Sequence, residues 1–241
     1  MHDQIQDILF IRSYPKNITI APSNRDVLRS IIRPEGVTIA YGRHNITFLF
    51  PGIGKLQKSP SQNIIERINA GLITDVIDIG GGGALDPSLK RGDLVLSCED
   101  IPHDTKIPAK VKRRPDIKKI VQRLADQNKS SFYEGKILTS PHMVTRREDR
   151  KYLHDLTGCL MVQMEHCWFV RKLERCIDST AFNNLFFTHI EVVSDEVPKN
   201  DSLANSISEL YYTFKYCLFF NQNYLGNIKK DFLNLCLTVS E

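Results

Sequence analysis

The chain has 241 residues, of which 41% are hydrophobic and 25% charged, with a formal net charge of +4. That length and balance fit one large α/β domain spanning 1–241, and so mild a charge lacks the dense basic patch of a dedicated nucleic-acid binder. The six cysteines form no C-x-x-C pair. The N-terminal MHDQIQD is acidic where a secretory leader is basic, and no apolar stretch approaches the roughly 18 residues of a membrane span. A cytoplasmic protein with reduced, buried thiols is expected.

Residues 7–11, DILFI, form an apolar run suited to a buried strand, and 37–50 read as two strands joined by a turn at 42–45. In the segment that follows, Ser61 is placed to cap a helix carrying Ile64, Ile65 and Ile68 on one side and stopping at Gly71. DVIDIG at 75–80 then reads as a strand. Strand, helix and strand in that order predict a βαβ unit, hence a parallel sheet whose functional loops lie at the carboxyl ends of its strands.

Four glycines, Gly80 to Gly83, follow directly. Bare backbone at a strand end lets a ligand or another chain segment approach closely. Further strands are expected at 93–97, 134–140 and 184–195. The basic stretch at 110–119 has no aromatic residues interleaved for base stacking and reads as a solvated face preceding a helix. RREDRKYLHDL, 146–156, reads as a charged surface helix, and 159–177 runs from a strand into a helix whose Cys167, Val170, Leu173 and Ile177 share a face. The tail from Ser202 carries a helical apolar stripe suited to core or subunit contact.

Three strand ends therefore carry polar or glycine-rich residues that can meet in one crevice: Gly80 to Gly83, Gln163 to Glu165 and Ser194 to Glu196. The glycine run is not G-x-G-x-x-G, PGIGK lacks P-loop spacing, and no G-x-S-x-G elbow is present. None of the seven histidines pairs at i, i+4, and no histidine and cysteine cluster has ligand spacing, so no metal is expected.

Taken in order, GIGK after a strand, GGGGALDPSLKRGDLVLS, His103 with Asp104, MVQME and VVSD resemble the motifs of the nucleoside phosphorylase and nucleosidase superfamily across roughly residues 37–200. The resemblance implies a three-layer α/β domain with a central mixed sheet flanked by helices. It implies cleavage of the N-glycosidic bond of a nucleoside, most simply a purine nucleoside, without metal or organic cofactor. Asp195 is then the acid that protonates the leaving base, a role suited to a carboxyl desolvated at a buried strand end. Glu165 accepts hydrogen bonds from the ribose diol and Met164 packs on the sugar. Gln163, Met143, Ser194, Gly81, Gly82, Gly83 and Ala84 border the substrate, while Arg12, Arg43 and the Gly81 amide are candidates for phosphate, with Lys16 as a further cation. Gly52 and Gly54 let the chain pass close to the ligand or the glycine loop. A homo-oligomer, most simply a dimer, is implied as well.

The chain also departs from that family. Its nucleosidases carry an acidic cluster after the first strand that positions water, whereas no acid lies between Asp7 and Asp26 here. Gly81 stands where phosphorylases place a hydroxyl, Gln163 where nucleosidases are acidic, and Met143 where they stack an aromatic on the base. Phosphorolysis is thereby narrowly favoured, with phosphate as co-substrate. The alternatives are a hydrolytic nucleosidase of the methylthioadenosine/S-adenosylhomocysteine type and a non-catalytic nucleoside-binding protein on the same fold.

Overall fold

A computed structural model describes residues 7–11, 37–41, 44–49, 59–104, 112–199, 231–232 and 235. Strands β1 (Asp7–Ile11), β2 (Val37–Tyr41) and β3 (His44–Leu49) coincide with the apolar runs, β2 and β3 as an antiparallel pair. Helix α1 (Gln62–Asn69) buries Ile64 and Ile68 and is followed by Gly71 at φ +69°. Ser61 occupies the N-cap, but its hydroxyl makes no capping hydrogen bond.

The expected βαβ unit is present with β1 inserted in it, since β1 pairs in parallel with both β3 and β4 (Ile73–Ala84). After β4 come β5 (Leu94–Pro102), α2 (Ile117–Asn128), β6 (Phe132–Thr139), α3 (Arg147–Thr157), β7 (Cys159–Gln163), α4 (His166–Cys176), α5 (Ser179–Asn184) and β8 (Phe186–Asp195). The sheet order is β2-β3-β1-β4-β7-β6-β5-β8, and β8 returns to pair with β4, so five of the strands close into a barrel. Helices cover this mixed sheet, giving the α/β architecture expected. Among the described residues no helix is long and apolar enough to cross a membrane.

Hydrophobic clusters fix the layers. Ile117, Ile120, Val121 and Leu124 of α2 pack on Ile77, Ile79, Leu94, Leu96, Ile190 and Val192 of the barrel, each buried aliphatic side chain contributing about 1.5–3 kcal/mol. On the opposite face of β4 and β8, Val76 and Phe187 pack against α1, α4 and α5. Ala84, Val95, Ile137, Met161 and Val193 fill the barrel.

Several expectations change. Strand β4 does not end at Gly80 but runs to Ala84, so the glycines lie inside a paired strand instead of in a loop. Strand β5 extends five residues past Ser97 and carries the buried Asp100. Helix α3 is not wholly a surface helix: Arg150 is only 3% exposed. Helix α5 lies just ahead of β8, in a stretch for which no helix was expected. Of the described cysteines, Cys159 and Cys167 are buried as expected, but Cys98 is exposed. In the basic stretch, Arg114 pairs with Asp75 at 2.5 Å and Arg113 and Lys118 with Glu134 at 2.9 and 2.7 Å, so these cations serve the fold. Arg12, Lys16, Arg43, Gly52, Gly54 and the helical stripe at 203–218 lie outside the described residues.

Candidate active site

Strand β4 changes neighbours partway along one edge. It pairs with β1 as far as Asp78 and with β7 only from Gly83. Between those points, 79–82 pair with β8 on the other edge alone among the described strands. A sheet that switches partners in this way opens a crevice at the switch point, the usual place for a ligand in an α/β fold.

What needs bare backbone there is first of all the protein's own acids. A Cβ on Gly80 would lie 3.0 Å from both carboxylate oxygens of Glu191. One on Gly82 would lie 2.8 Å from the Val162 carbonyl oxygen and 3.5 Å from Glu191 Oε2. One on Gly83 would lie 2.9 Å from Asp195 Oδ2. The glycines thus clear space for two carboxyl groups, Glu191 beside Gly80 and Gly82, and Asp195 beside Gly83.

Side chains alternate along a strand, so Asp195 would share the face of Glu191 and Val193 if β8 were regular. It is not regular: Gly82 pairs with Val193 and Gly83 with Asp195, leaving Ser194 as an extra residue. The bulge re-aims Asp195. Its Oδ2 meets the Arg150 guanidinium, and its Oδ1 lies 2.6 Å from Ser194 Oγ. Arg150 also donates to the carbonyls of Val144, Ala84 and Glu196 at 3.0, 3.1 and 3.0 Å. Arg150 therefore locks one oxygen of Asp195 in place, while the other accepts from the Ser194 hydroxyl. Asp195 and Arg150 thus form an ion pair that is buried on both sides.

A second bulge, at Cys98 of β5, turns Asp100 inward, because Ser97 pairs with Gly135 and Glu99 with Lys136. Asp100 and Ser97 then belong to a buried polar group with Asp78, His166, His189 and Glu191. His189 Nδ1 is 2.6 Å from Asp100 Oδ1 and its Nε2 is 2.9 Å from Glu191 Oε1. His166 Nδ1 is 2.9 Å from Asp78 Oδ2, and the two imidazoles stack at 3.9 Å with planes 5° apart. Burial opposes charge on His189, but Asp100 and Glu191 outweigh it and hold its proton well above the usual imidazole range. Burial also disfavours the Asp100 anion, yet His189, His166 and the Ser97 hydroxyl hold that carboxyl at about 2.

Asp78, His166 and His189 offer ligand atoms within 4.8 Å of one another. Their arrangement does not suit one ion, because stacked rings direct their in-plane lone pairs along parallel planes that do not converge.

Glu165 follows β7 and precedes α4. Gln163 organises this corner: its Nε2 donates to Thr139 Oγ1 at 2.6 Å, and its Oε1 accepts the N–H groups of Glu165 and His166. Burial, then the nearby Glu191 and Asp78 carboxylates, push the Glu165 carboxyl up to about 8. A carboxyl so raised is largely protonated at neutral pH, with one donor and one acceptor oxygen. Met164 beside it is half-buried, and Met143 lies on the surface, 49% exposed. Gly81 is the half-exposed member of the glycine run, while Gly82, Gly83 and Ala84 are buried. His103 and Asp104 are exposed, with Asp104 3.6 Å from Arg171.

The structure thus gathers Ser194, Asp195, Gly83 and Ala84 around Arg150, and Gln163, Met164 and Glu165 ahead of α4. It adds Arg150, His189, Glu191, Asp100, Asp78 and His166, which sequence reasoning missed. The available signal was charge recurring every second residue within an otherwise apolar strand, as in HIE at 189–191.

The family model of the phosphorylase superfamily matches residues 25–171. Among solved structures, a mutant Helicobacter pylori MTAN with 5′-methylthioadenosine in its active site is similar at TM-score 0.66 and 16% identity, covering 95% of this chain and 98% of that one. The futalosine hydrolase of Helicobacter pylori is similar at TM-score 0.65 and 16% identity, covering 97% and 99%. An S-adenosylhomocysteine nucleosidase from Streptococcus pyogenes in complex with 5-methylthiotubericidin is similar at TM-score 0.66 and 15% identity, covering 95% and 97%. At such identities these structures establish a shared fold. No curated protein matches the chain. With the family model covering more than half of its length, the chain belongs to the phosphorylase superfamily of glycosyl-cleaving enzymes.

Proposed function

We propose that the protein, acting as one domain over 1–241, cleaves the N-glycosidic bond of a purine nucleoside, with Asp195 protonating the base and Glu165 holding the ribose. The observation that carries the reading is a pair of buried acid centres set against one glycine run. Glu191 lies against Gly80 and Gly82, with Glu165 near it, and Asp195 lies against Gly83.

Each centre suits one half of such a substrate. As the bond breaks, ribose gains oxocarbenium character and charge develops on the base. Asp195 presents Oδ1, steadied by Ser194 and by Arg150 on Oδ2, where a proton can pass to the base. Glu165, protonated up to about pH 8, can both donate to and accept from the sugar hydroxyls. The purine assignment draws support from the methylthioadenosine bound in the Helicobacter pylori MTAN.

Water is favoured as the acceptor. A phosphate dianion would have to enter beside the Glu191 and Asp78 carboxylates, and close, poorly screened like charges repel strongly. The nucleosidase and hydrolase structures on this fold agree with that choice. A cytoplasmic homodimer completes the proposal.

The test is release of free base from a panel of purine nucleosides, including 5′-thio and 5′-alkyl adenosines, with and without phosphate, beside Asp195→Asn. Phosphate-independent release that falls about 10²–10⁴-fold in the variant is expected. Release that requires phosphate would make the protein a phosphorylase. Binding without turnover would make it a nucleoside-binding protein.

A further inference from the structure

We infer that Glu191 is the general base that activates water, taking the place of the acid absent after the first strand. This rests on the cleavage reading above and goes one step beyond it. Residues 8–25 contain no Asp or Glu, so a hydrolase built on this chain must draw its base from elsewhere.

Glu191 has the required placement. It is 3% exposed, and its Oε2 has no hydrogen-bond partner among the described residues. An unpartnered buried carboxylate oxygen costs free energy unless something else binds it. That oxygen lies beside Gly80 and Gly82, on the stretch of β4 whose other edge carries no strand among those described. Its second oxygen, Oε1, is fixed by His189 Nε2 at 2.9 Å, and His189 is fixed in turn by Asp100 at 2.6 Å. The carboxylate is thus oriented through one oxygen, with the other unpartnered among the described residues, as a base needs to be.

The charged groups around Glu191 are His189 on its own strand, Asp78 on β4, Glu165 ahead of α4 and His166 on α4, with Asp100 of β5 behind His189. Burial pushes the Glu191 carboxyl up and strengthens it as a base, while the His189 proton keeps the anion accessible. In the reaction a water beside Gly80 and Gly82 gives one proton to Glu191 Oε2. The water oxygen bonds to the anomeric carbon as the carbon–nitrogen bond breaks. The bonding pair leaves with the base, which takes a proton from Asp195, and the two side chains exchange their protons with solvent before the next turnover.

The experiment compares the full chain with Glu191→Gln, Glu191→Asp and Glu191→Ala, using base release without phosphate, nucleoside binding by calorimetry, and thermal melting. Glu191→Gln is expected to lose at least about 100-fold in kcat, to keep its affinity for nucleoside, and to lose the acid limb of the pH profile. Glu191→Asp should retain part of the rate, and added formate should restore turnover to Glu191→Ala. Wild-type rates in Glu191→Gln, or a loss in folded Glu191→Ala that formate does not repair, would overturn the assignment and leave the cleavage reading standing. A wild-type protein that binds nucleosides without releasing base would overturn both.

Discussion

Two strand bulges each turn a buried aspartate, and the surroundings of those aspartates differ. At the β8 bulge Asp195 meets Arg150, whose remaining hydrogen bonds go to three backbone carbonyls. At the β5 bulge Asp100 meets His189 and Ser97, and its Oδ2 lies 3.4 Å from His166 Nε2, while Glu191 Oε2 stays without a hydrogen bond among the described residues. The first centre is complete and fixes position. The second leaves one carboxylate oxygen, Glu191 Oε2, without a partner among the described residues, which suits it to take a hydrogen-bond donor.

The largest expected effect separates these two kinds of burial. Arg150→Met leaves the Asp195 carboxylate and three carbonyls without their donor, a loss of about 3–5 kcal/mol in unfolding free energy from urea titration. Adding Asp195→Leu should recover a substantial part, because a buried ion pair can be exchanged for apolar packing. A small loss in the single variant would mean that Arg150 is not the lock described.

Next come the glycines. Gly82→Ala sets a methyl 2.8 Å from the Val162 carbonyl, which cannot retreat without moving β7, so a cost of about 1–3 kcal/mol is expected. Gly80→Ala meets only the end of the Glu191 side chain at 3.0 Å and should cost less. Its cost should vanish in the Glu191→Ala background, whereas that of Gly82→Ala should persist. A double-mutant cycle reads this directly.

These particulars show what was legible in the sequence. The apolar runs of β1 to β4, the βαβ order, the buried face of α4 and the ordered motifs around Glu165 and Asp195 were readable because periodicity and motif order are local. The bulges at Cys98 and Ser194 were not, since one extra residue leaves no compositional trace and reverses the facing of all that follows. Arg150 was hidden for another reason. Its helix is polar nearly throughout, and only the carbonyls and the carboxylate brought over it by distant strands make a buried guanidinium favourable.

The incomplete centre also gives stability a pH dependence. Glu165 rises from 4.5 to about 8 on folding, so its contribution is whole below pH 4.5 and disappears as pH climbs to about 8. His189, raised above 6.5, acts in the same sense: its contribution is whole below pH 6.5 and is lost as pH rises through the folded value. Asp100, lowered from 3.8 to about 2, acts oppositely, contributing above pH 3.8 and losing that contribution as pH falls through about 2. Between pH 5 and 8 the Glu165 contribution therefore declines by at most about 1.4 kcal/mol per pH unit. Urea titrations across that range should show a shallower decline in Glu165→Gln, and an unchanged slope would remove the case for a protonated Glu165.

The smallest effect on stability is expected at Met143, where the comparison can be made from outside both centres. The side chain is 49% exposed and lies one residue ahead of Val144, whose carbonyl Arg150 holds at 3.0 Å. Because the backbone there is anchored and the side chain packs little, Met143→Ala should shift stability by less than about 0.5 kcal/mol. If the loop lies over the base held by Asp195, the same change should raise KM several-fold while kcat holds, since a thioether packed on a ring binds ground state and transition state alike. A fall in kcat at constant KM would instead mean that Met143 acts through the Arg150 to Asp195 lock, and would tie this exposed loop to the buried centre.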